Sequence, residues 1–525
     1  MKSMGSRSFH RTRPCRAARV SKRSHAAIIA PFLAVVALTW SVAASAGELR
    51  LGAVEHGQPV WARFEVRGAD GQTYQPEGAI ADRRFRPREG NEPWYGGSFV
   101  AGKPVTIALD SGRYTVVAER GTEFKRFEES VEVADRDPTE LSIEIDRWTD
   151  MRAKGWYSGD FHVHRTIEAT PALQQAEDLN LAVVFTMWNK RDLWPAGRLP
   201  QETVRRTSPG RWMTVLNAED ERGGGAWMFH GLFERLPLAA GARWFPIGID
   251  LIEQARAQKR PAWVEVEKPF WWEAPVVMAL APPDSIGMIH NHFNQYGALA
   301  NSAWGRPPDE RWPEGSEGFL EYSLSLNYRF WNLGFSMPVT AGSASGVLPN
   351  PVGYNRVYVK LDEPFSEDGF YRELRSGRSF VTNGPMLFFD ARTEGRQIHL
   401  SLDAEARAPL EKVEIIANGI VVRTIPVALG ETSILTELTV PAGNYSWIAA
   451  RVYERNDSTV RLAHSQPVWL EGDWAAADDA AFFVGWIDEL IEITNKEAER
   501  FEEPQQREQV LEQYQKARSF YQQKR

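Results

Sequence analysis

Between residues 148 and 388 short apolar runs alternate with helix-patterned stretches, while the sequence on either side alternates apolar and polar residues one by one. The central runs Leu181–Trp188, 212–216, 262–266, Ser285–Ile289 and 337–341 read as strands, and 171–180, 249–259 and 318–334 as helices. Strands alternating with helices predict a mostly parallel sheet or barrel with its functional groups at the C-terminal strand ends. The flanks carry the two-residue period of half-buried strands, as in 60–66, 114–118, 412–416 and 446–452. They predict one β-sandwich over 47–147 and a second over 389–472. In the tail, 473–525, Val510, Leu511, Tyr514, Ala517 and Tyr521 recur at three- and four-residue spacing, which predicts helix packed on its own protein.

A chain of 525 residues has room for about three such domains. With 43% hydrophobic and 25% charged residues it is neither disordered nor collagen-like nor a polytopic membrane protein, and a formal charge of −8 argues against nucleic acid as partner. Residues 1–25 hold eight Lys/Arg and no acid; an apolar run to Ala43 and Ala44-Ser45-Ala46 follow. This is the layout of a signal peptide over 1–46, with an uncleaved anchor helix as the alternative. Cleavage removes those eight charges, taking −8 to −16, together with Cys15, the single cysteine. The expected address is the periplasm or the cell exterior, with no membrane span after cleavage and no disulfide.

Ten histidines are present, and five of them (His162, His164, His230, His290 and His292) fall in the central region near predicted strand ends. In an extended strand, residues i and i+2 share a face, so His162 and His164 can meet one metal ion. His290-Asn291-His292 repeats that spacing. Twelve of 20 tryptophans lie between Trp156 and Trp331, a supply of flat faces for sugar or aromatic ligands or simply large core residues. Glu265 and Glu267 alternate as a solvated strand face would. Arg222-Gly223-Gly224-Gly225 lacks a P-loop ending and reads as a flexible loop. No Gly-x-Ser-x-Gly elbow occurs.

Gly159-Asp160-Phe161-His162-Val163-His164-Arg165 resembles the opening motif of PHP-superfamily (polymerase and histidinol phosphatase) metallohydrolases, and more closely the exported carbaryl-hydrolase-type (CehA/McbA) branch. The resemblance continues through Asn217-Ala218-Glu219-Asp220, Trp227-Met228-Phe229-His230-Gly231 and Asn291-His292-Phe293 to the segment Ser376 to Pro385. Gly112 to Val116 weakly resembles transthyretin-like or carboxypeptidase-regulatory sandwiches. The main resemblance implies a distorted (β/α) barrel of the PHP type, flanked by the two sandwiches. It departs at three steps: Thr186-Met187-Trp188-Asn189 stands for Thr-Asp-His, Glu267-Lys268-Pro269 for His-Pro, and Gly342-Ser343-Ala344-Ser345-Gly346 for Gly-Ser-Asp-x-His.

The ligand set so implied is His162, His164, Glu219 and His230, supplemented by His292 or His290 and by Glu267 in place of a lost histidine. It suits one or two divalent ions, Zn or Mn, which lower the pKa of water toward roughly 7. Asp220 or Glu221 would shuttle protons, and Arg165 would hold an anionic group. The expected function is hydrolysis of an ester, carbamate or phosphoester bond in a small-molecule or glycan substrate. The alternative is a catalytically degenerate, metal-stabilised barrel that binds glycans at a cell surface. Oligomeric state is open at this level.

Overall fold

The computed structural model describes residues 46–81, 97–194, 198–238 and 244–524. The expected signal segment lies outside these residues except for Ala46, which begins the first strand, Ala46–Glu55.

The N-terminal part folds as two facing sheets. Ala46–Glu55 pairs with Val105–Asp110 and Gln58–Val60 antiparallel and with Thr139–Glu144 parallel. The other sheet is centred on Ala62–Gly68 and Gly112–Glu119. Alternate residues (Leu49, Leu51, Phe64, Val66, Val116) meet between the sheets and are fully buried, as the two-residue period requires.

The central region holds seven strands in ring order: Trp156–Val163, Leu181–Trp188, Arg211–Arg222, Gly225–His230, Trp263–Val266, Ser285–Ile289 and Val339–Ala341. Beyond the last of them, Ser345 bridges in parallel to Val163 of the first and accepts a hydrogen bond from the His164 backbone N–H at 2.8 Å, so the two ends of the row meet. The strict strand–helix alternation expected from sequence is interrupted. Arg211–Arg222 turns directly into Gly225–His230 as an antiparallel hairpin, and Gly225–His230 is antiparallel to Trp263–Val266 as well. Helices Thr170–Ala176, Gly248–Arg256, Ala274–Leu280 and Ser316–Asn332 cover the outside. The glycine run is no flexible loop. Gly223 and Gly224 form the two-residue turn of that hairpin, and a Cβ on either would come within 2.6 Å of Trp244 or 2.4 Å of Glu273.

The same sheet continues past the expected 388/389 boundary. Arg356–Lys360 pairs antiparallel with the first ring strand, then come Ser379–Thr382, Arg461–Ser465, Trp447–Glu454, Leu410–Ala417 and Ile420–Pro426. A second sheet of Met386–Glu394, Gln397–Glu405 and Ser433–Pro441 packs over it. The tail forms helices Ala477–Lys496 and Pro504–Gln522. Of its stripe, Val510, Tyr514, Ala517 and Tyr521 are buried against the ring's outer helices while Leu511 is only half-buried; Tyr514 donates to Glu273 and Tyr521 to the Pro275 carbonyl. No helix among the described residues is long and apolar enough to cross a membrane.

His464 joins the C-terminal sheet to helix Ser316–Asn332. Its Nδ1 lies 2.7 Å from the Ser465 carbonyl, which can only accept, so Nε2 accepts from the Tyr328 hydroxyl at 2.8 Å. Burial pushes the imidazole down to about 3, against the small opposing pull of that carbonyl. A histidine held neutral in the fold but free to protonate when unfolded contributes stability above the unfolded pKa of about 6.5 that is lost as pH falls. The stability gap between wild type and His464→Gln is expected to narrow by about 1.4 kcal/mol per pH unit below pH 6.5. Urea titrations at pH 7.5, 5.5 and 4.5 measure it, and a gap independent of pH refutes the assignment.

Candidate metal centre

The strand carrying His162 is bent by Asp160. Its carboxylate is fully buried and accepts three backbone N–H bonds, from His162 (3.0 Å), Ser343 (3.0 Å) and Gly353 (2.7 Å). Those bonds tie the His-Val-His segment to the ring-closing segment, and the ladder to the neighbouring strand is irregular at this point. Both imidazoles thereby face inward.

Across the ring, Glu219 comes up from Arg211–Arg222. His162 Nε2 and His164 Nε2 are 2.8 Å apart, and Glu219 Oε2 lies 3.5 and 3.0 Å from them. All three side chains are buried, and these are the donor atoms that converge among the described residues. Two imidazole nitrogens at this separation need a shared proton or a cation between them. The edge of a tetrahedron with ~2.0–2.2 Å bonds is about 3.3–3.6 Å, close to the observed triangle. Glu219 Oε2 is buried and makes no hydrogen bond. Hard oxygen with two imidazoles is a donor set suited to a divalent ion such as Zn or Mn, so these three residues can hold one.

Electrostatics around the triangle are strongly coupled. Burial alone would depress His162, but the Glu219 and Glu267 carboxylates hold it up to about 10. Burial lowers His164 despite Glu219. Burial would raise Glu219, yet His162 and His164 hold it down to about 2.

The other sequence-nominated residues are placed as follows. His230 is inward but deeper: the strand register sets Met228 opposite Glu219, and the His230 ring packs on Phe161 and Phe185 at 5.2 and 5.6 Å. Its Nδ1 is 3.4 Å from the Tyr371 hydroxyl, and burial, then the His162 charge, lowers it to about 3. His290 Nε2 bonds Ser323 Oγ at 3.0 Å, toward helix Ser316–Asn332. His292 packs on Phe270 and Phe319; burial and then Lys268 lower it to about 3, and its Nδ1 has no hydrogen bond. Glu267 lies 3.3 Å from His162 Nδ1 while its other oxygen is taken by Lys268. Asp220 points to the opposite face of its strand from Glu219 and is held by Arg222 at 2.7 Å. Glu221 returns to the Glu219 face, accepts from Trp188 Nε1 at 3.0 Å, and is raised to about 7 by burial and then by Glu219. Arg165 is buried and donates to Ser345 Oγ at 3.0 Å.

Two residues beside the site, Glu265 and Lys268, escaped the sequence reading, in which Glu267 stands both as a ligand and as part of a solvated face. Glu265 and Glu267, expected on a solvated face, are both 3% exposed, because both faces of this strand are covered. Glu265 accepts from Ser285 and Thr340 hydroxyls, and burial pushes it up to about 8 despite those bonds. Lys268 is buried beside Glu267 and over the Trp271 ring at 4.6 Å. The shared parity of 265 and 267 with the Val264/Val266 face left undecided was the available signal. Trp188 lies 4.6 Å from the His164 ring and walls the site at the step where the resemblance led one to look for a histidine.

Gly342 is required by close approach: a Cβ there would sit 2.6 Å from His162 Cβ. Gly342→Ala is expected to cost about 1–3 kcal/mol and to weaken metal binding by displacing His162. Denaturant midpoints and a metal titration measure both, and a variant indistinguishable from wild type in each contradicts the packing argument.

No protein-family model and no curated protein matches the chain. Among solved structures it is similar to a two-domain protein containing a predicted PHP-like metal-dependent phosphoesterase from Bacteroides vulgatus, at 10% identity and a TM-score of 0.31, over 60% of this chain and 94% of that one. It is also similar to GBS52, the minor pilin of Streptococcus agalactiae, at 16% identity and a TM-score of 0.16, over 20% of this chain and 46% of the pilin. At these TM-scores neither likeness carries an argument about fold or activity, and the site rests on its own geometry.

Proposed function

We propose that this chain is an exported, divalent-metal-dependent hydrolase of the PHP type, of the carbaryl-hydrolase-type branch, that cleaves an ester, carbamate or phosphoester bond. The observation that carries the reading is the buried triangle of His162, His164 and Glu219, whose carboxylate oxygen faces the two imidazoles and no other donor among the described residues. A divalent ion held there supplies Lewis acidity and makes water a nucleophile near neutral pH. The chain's own residues do the rest. Glu221, on the same strand face and raised to about 7, is matched to accept and return a proton at working pH. Trp188 orients that carboxyl and closes the wall beside His164. Asp160 fixes the His-Val-His turn through its three N–H bonds. Arg165, tied to Ser345, braces the ring closure rather than waiting free for substrate. One ion satisfies this set, since Lys268 already answers Glu267.

Metal analysis of the purified chain, followed by aryl-ester, aryl-carbamate and aryl-phosphate assays, tests the reading. One equivalent of Zn or Mn and turnover that a chelator removes and the ion restores are expected. A protein that binds no divalent ion, or is inert on all three classes when loaded, overturns it. The inert, loaded outcome selects the second reading, a glycan-binding barrel, which the exposed Trp304 stacked 4.9 Å from Trp271 favours.

A further inference from the structure

A cavity of about 400 Å³ opens where the N-terminal sandwich, the ring and the C-terminal sandwich meet, away from the His/His/Glu triangle. Its walls are unusually cationic. Arg63 and Arg126 come from the first sandwich, Arg356 from the ring side, and Arg407 and Arg461 from the second sandwich. Carboxylates answer them incompletely. Glu119 is shared by Arg63 at 2.8 Å and by Arg126 and Arg407 at 3.8 Å each, and Arg126 also pairs with Glu128. Glu177 also takes Arg63, and Glu454 lies 2.7 Å from Arg461 Nε.

What remains is a set of buried donors without acceptors. Arg461 is 4% exposed, and its Nη2 makes no hydrogen bond; the same holds for Arg356 Nη1, and the buried Tyr354 hydroxyl has Thr459 beside it. Arg407 pairs with Glu119 only at 3.8 Å among the described residues, and its guanidinium is pushed down first by the Arg461 charge and then by burial, against the opposing Glu119 and Glu454 carboxylates. Two like charges held together in low dielectric, with N–H groups unmet, are destabilising until an anion joins them. Several guanidinium groups and a hydroxyl lining one cavity match a tetrahedral oxyanion better than a planar carboxylate. The cavity also exceeds what a bare ion fills.

We infer that this junction is a second ligand site, one that takes a phosphate group, free or borne on a small molecule, between Arg407, Arg461 and Tyr354. Because Arg407 and Arg461 belong to the second sandwich and Tyr354 to the ring side, the ligand bridges those two parts. The ring-side wall includes Gly353, whose N–H holds Asp160, so the site abuts the segment that shapes the His-Val-His turn.

Calorimetric and thermal-shift titration of the full, metal-free chain with inorganic phosphate and with glycerol 3-phosphate tests the inference. Saturable binding with a rise in melting temperature is expected, weakened at least about 10-fold in Arg407→Gln and unchanged in His164→Ala. Arg407 is the partly exposed member, so its variant keeps the fold; Arg461→Lys, which retains charge without the fork, gives a second reading of the same loss. Tighter binding of the ester than of inorganic phosphate identifies a borne group, and the reverse a free one. No saturable binding of either probe, or binding kept in Arg407→Gln and lost in His164→Ala, overturns the assignment. The last result moves the anion to the metal centre and leaves the hydrolase reading standing.

Discussion

Glu219→Gln is expected to lower divalent-metal affinity by at least ~100-fold and turnover by a similar factor, since even residues that merely orient ligands are worth 10–100-fold. The substitution keeps the side-chain shape and removes only the negative charge. That charge is the acidic corner of the triangle, 3.0 and 3.5 Å from the two imidazoles. It also sustains His162, so its loss takes from the metal both a ligand and the field that neutralises it. Competition with a chromogenic chelator measures affinity, and metal-free melting temperatures check that the fold survives. Affinity within threefold of wild type would remove Glu219 from the ligand set and the hydrolase reading with it.

Lys268→Met is expected to destabilise the metal-free protein by about 3–5 kcal/mol, the cost of stripping a buried charge of its partner. Lys268 and Glu267 are each 3% exposed and in direct contact. Burial would raise Glu267, but Lys268 and then His162 hold it down to about 2, so the variant leaves an anion with a single histidine to answer it. Adding Glu267→Gln to Lys268→Met should restore most of the loss, because a neutral amide needs no counter-charge. Guanidinium denaturation of both single variants and the double variant closes the cycle. A single-variant cost below ~1 kcal/mol, or no recovery in the double, shows that the pair is not the electrostatic unit described.

Much of the architecture was legible along the chain. The strands Leu181–Trp188 and Ser285–Ile289 lie where their apolar runs begin and end, and helix Ser316–Asn332 is displaced by two residues from its pattern. The tail stripe works because a helix that buries one face must repeat at three and four residues. What misled was the inference of regular alternation. The hairpin at Gly223-Gly224 replaces a crossover with a two-residue turn, and glycine-rich sequence does not separate a tight, packed turn from a loose one. That the ring's sheet takes in strands from beyond residue 388 was equally hidden, since strand pairing across a boundary is a long-range choice.

For the site, local sequence determined that His162 and His164, two apart in an extended segment, share a face; the resemblance nominated Glu219, which lies inside the strand Arg211–Arg222. Tertiary structure decided which partners join them. The register that sets Met228 opposite Glu219 leaves His230 two residues deeper, among phenylalanines. Coverage on both faces turned Glu265 and Glu267 inward and made Lys268 a buried counter-ion. Parity along one strand and the register of the Gly223-Gly224 hairpin are set nearby in the chain; inward direction depends on distant contacts such as those of Asp160 with Ser343 and Gly353, and those exist only once the ring has closed.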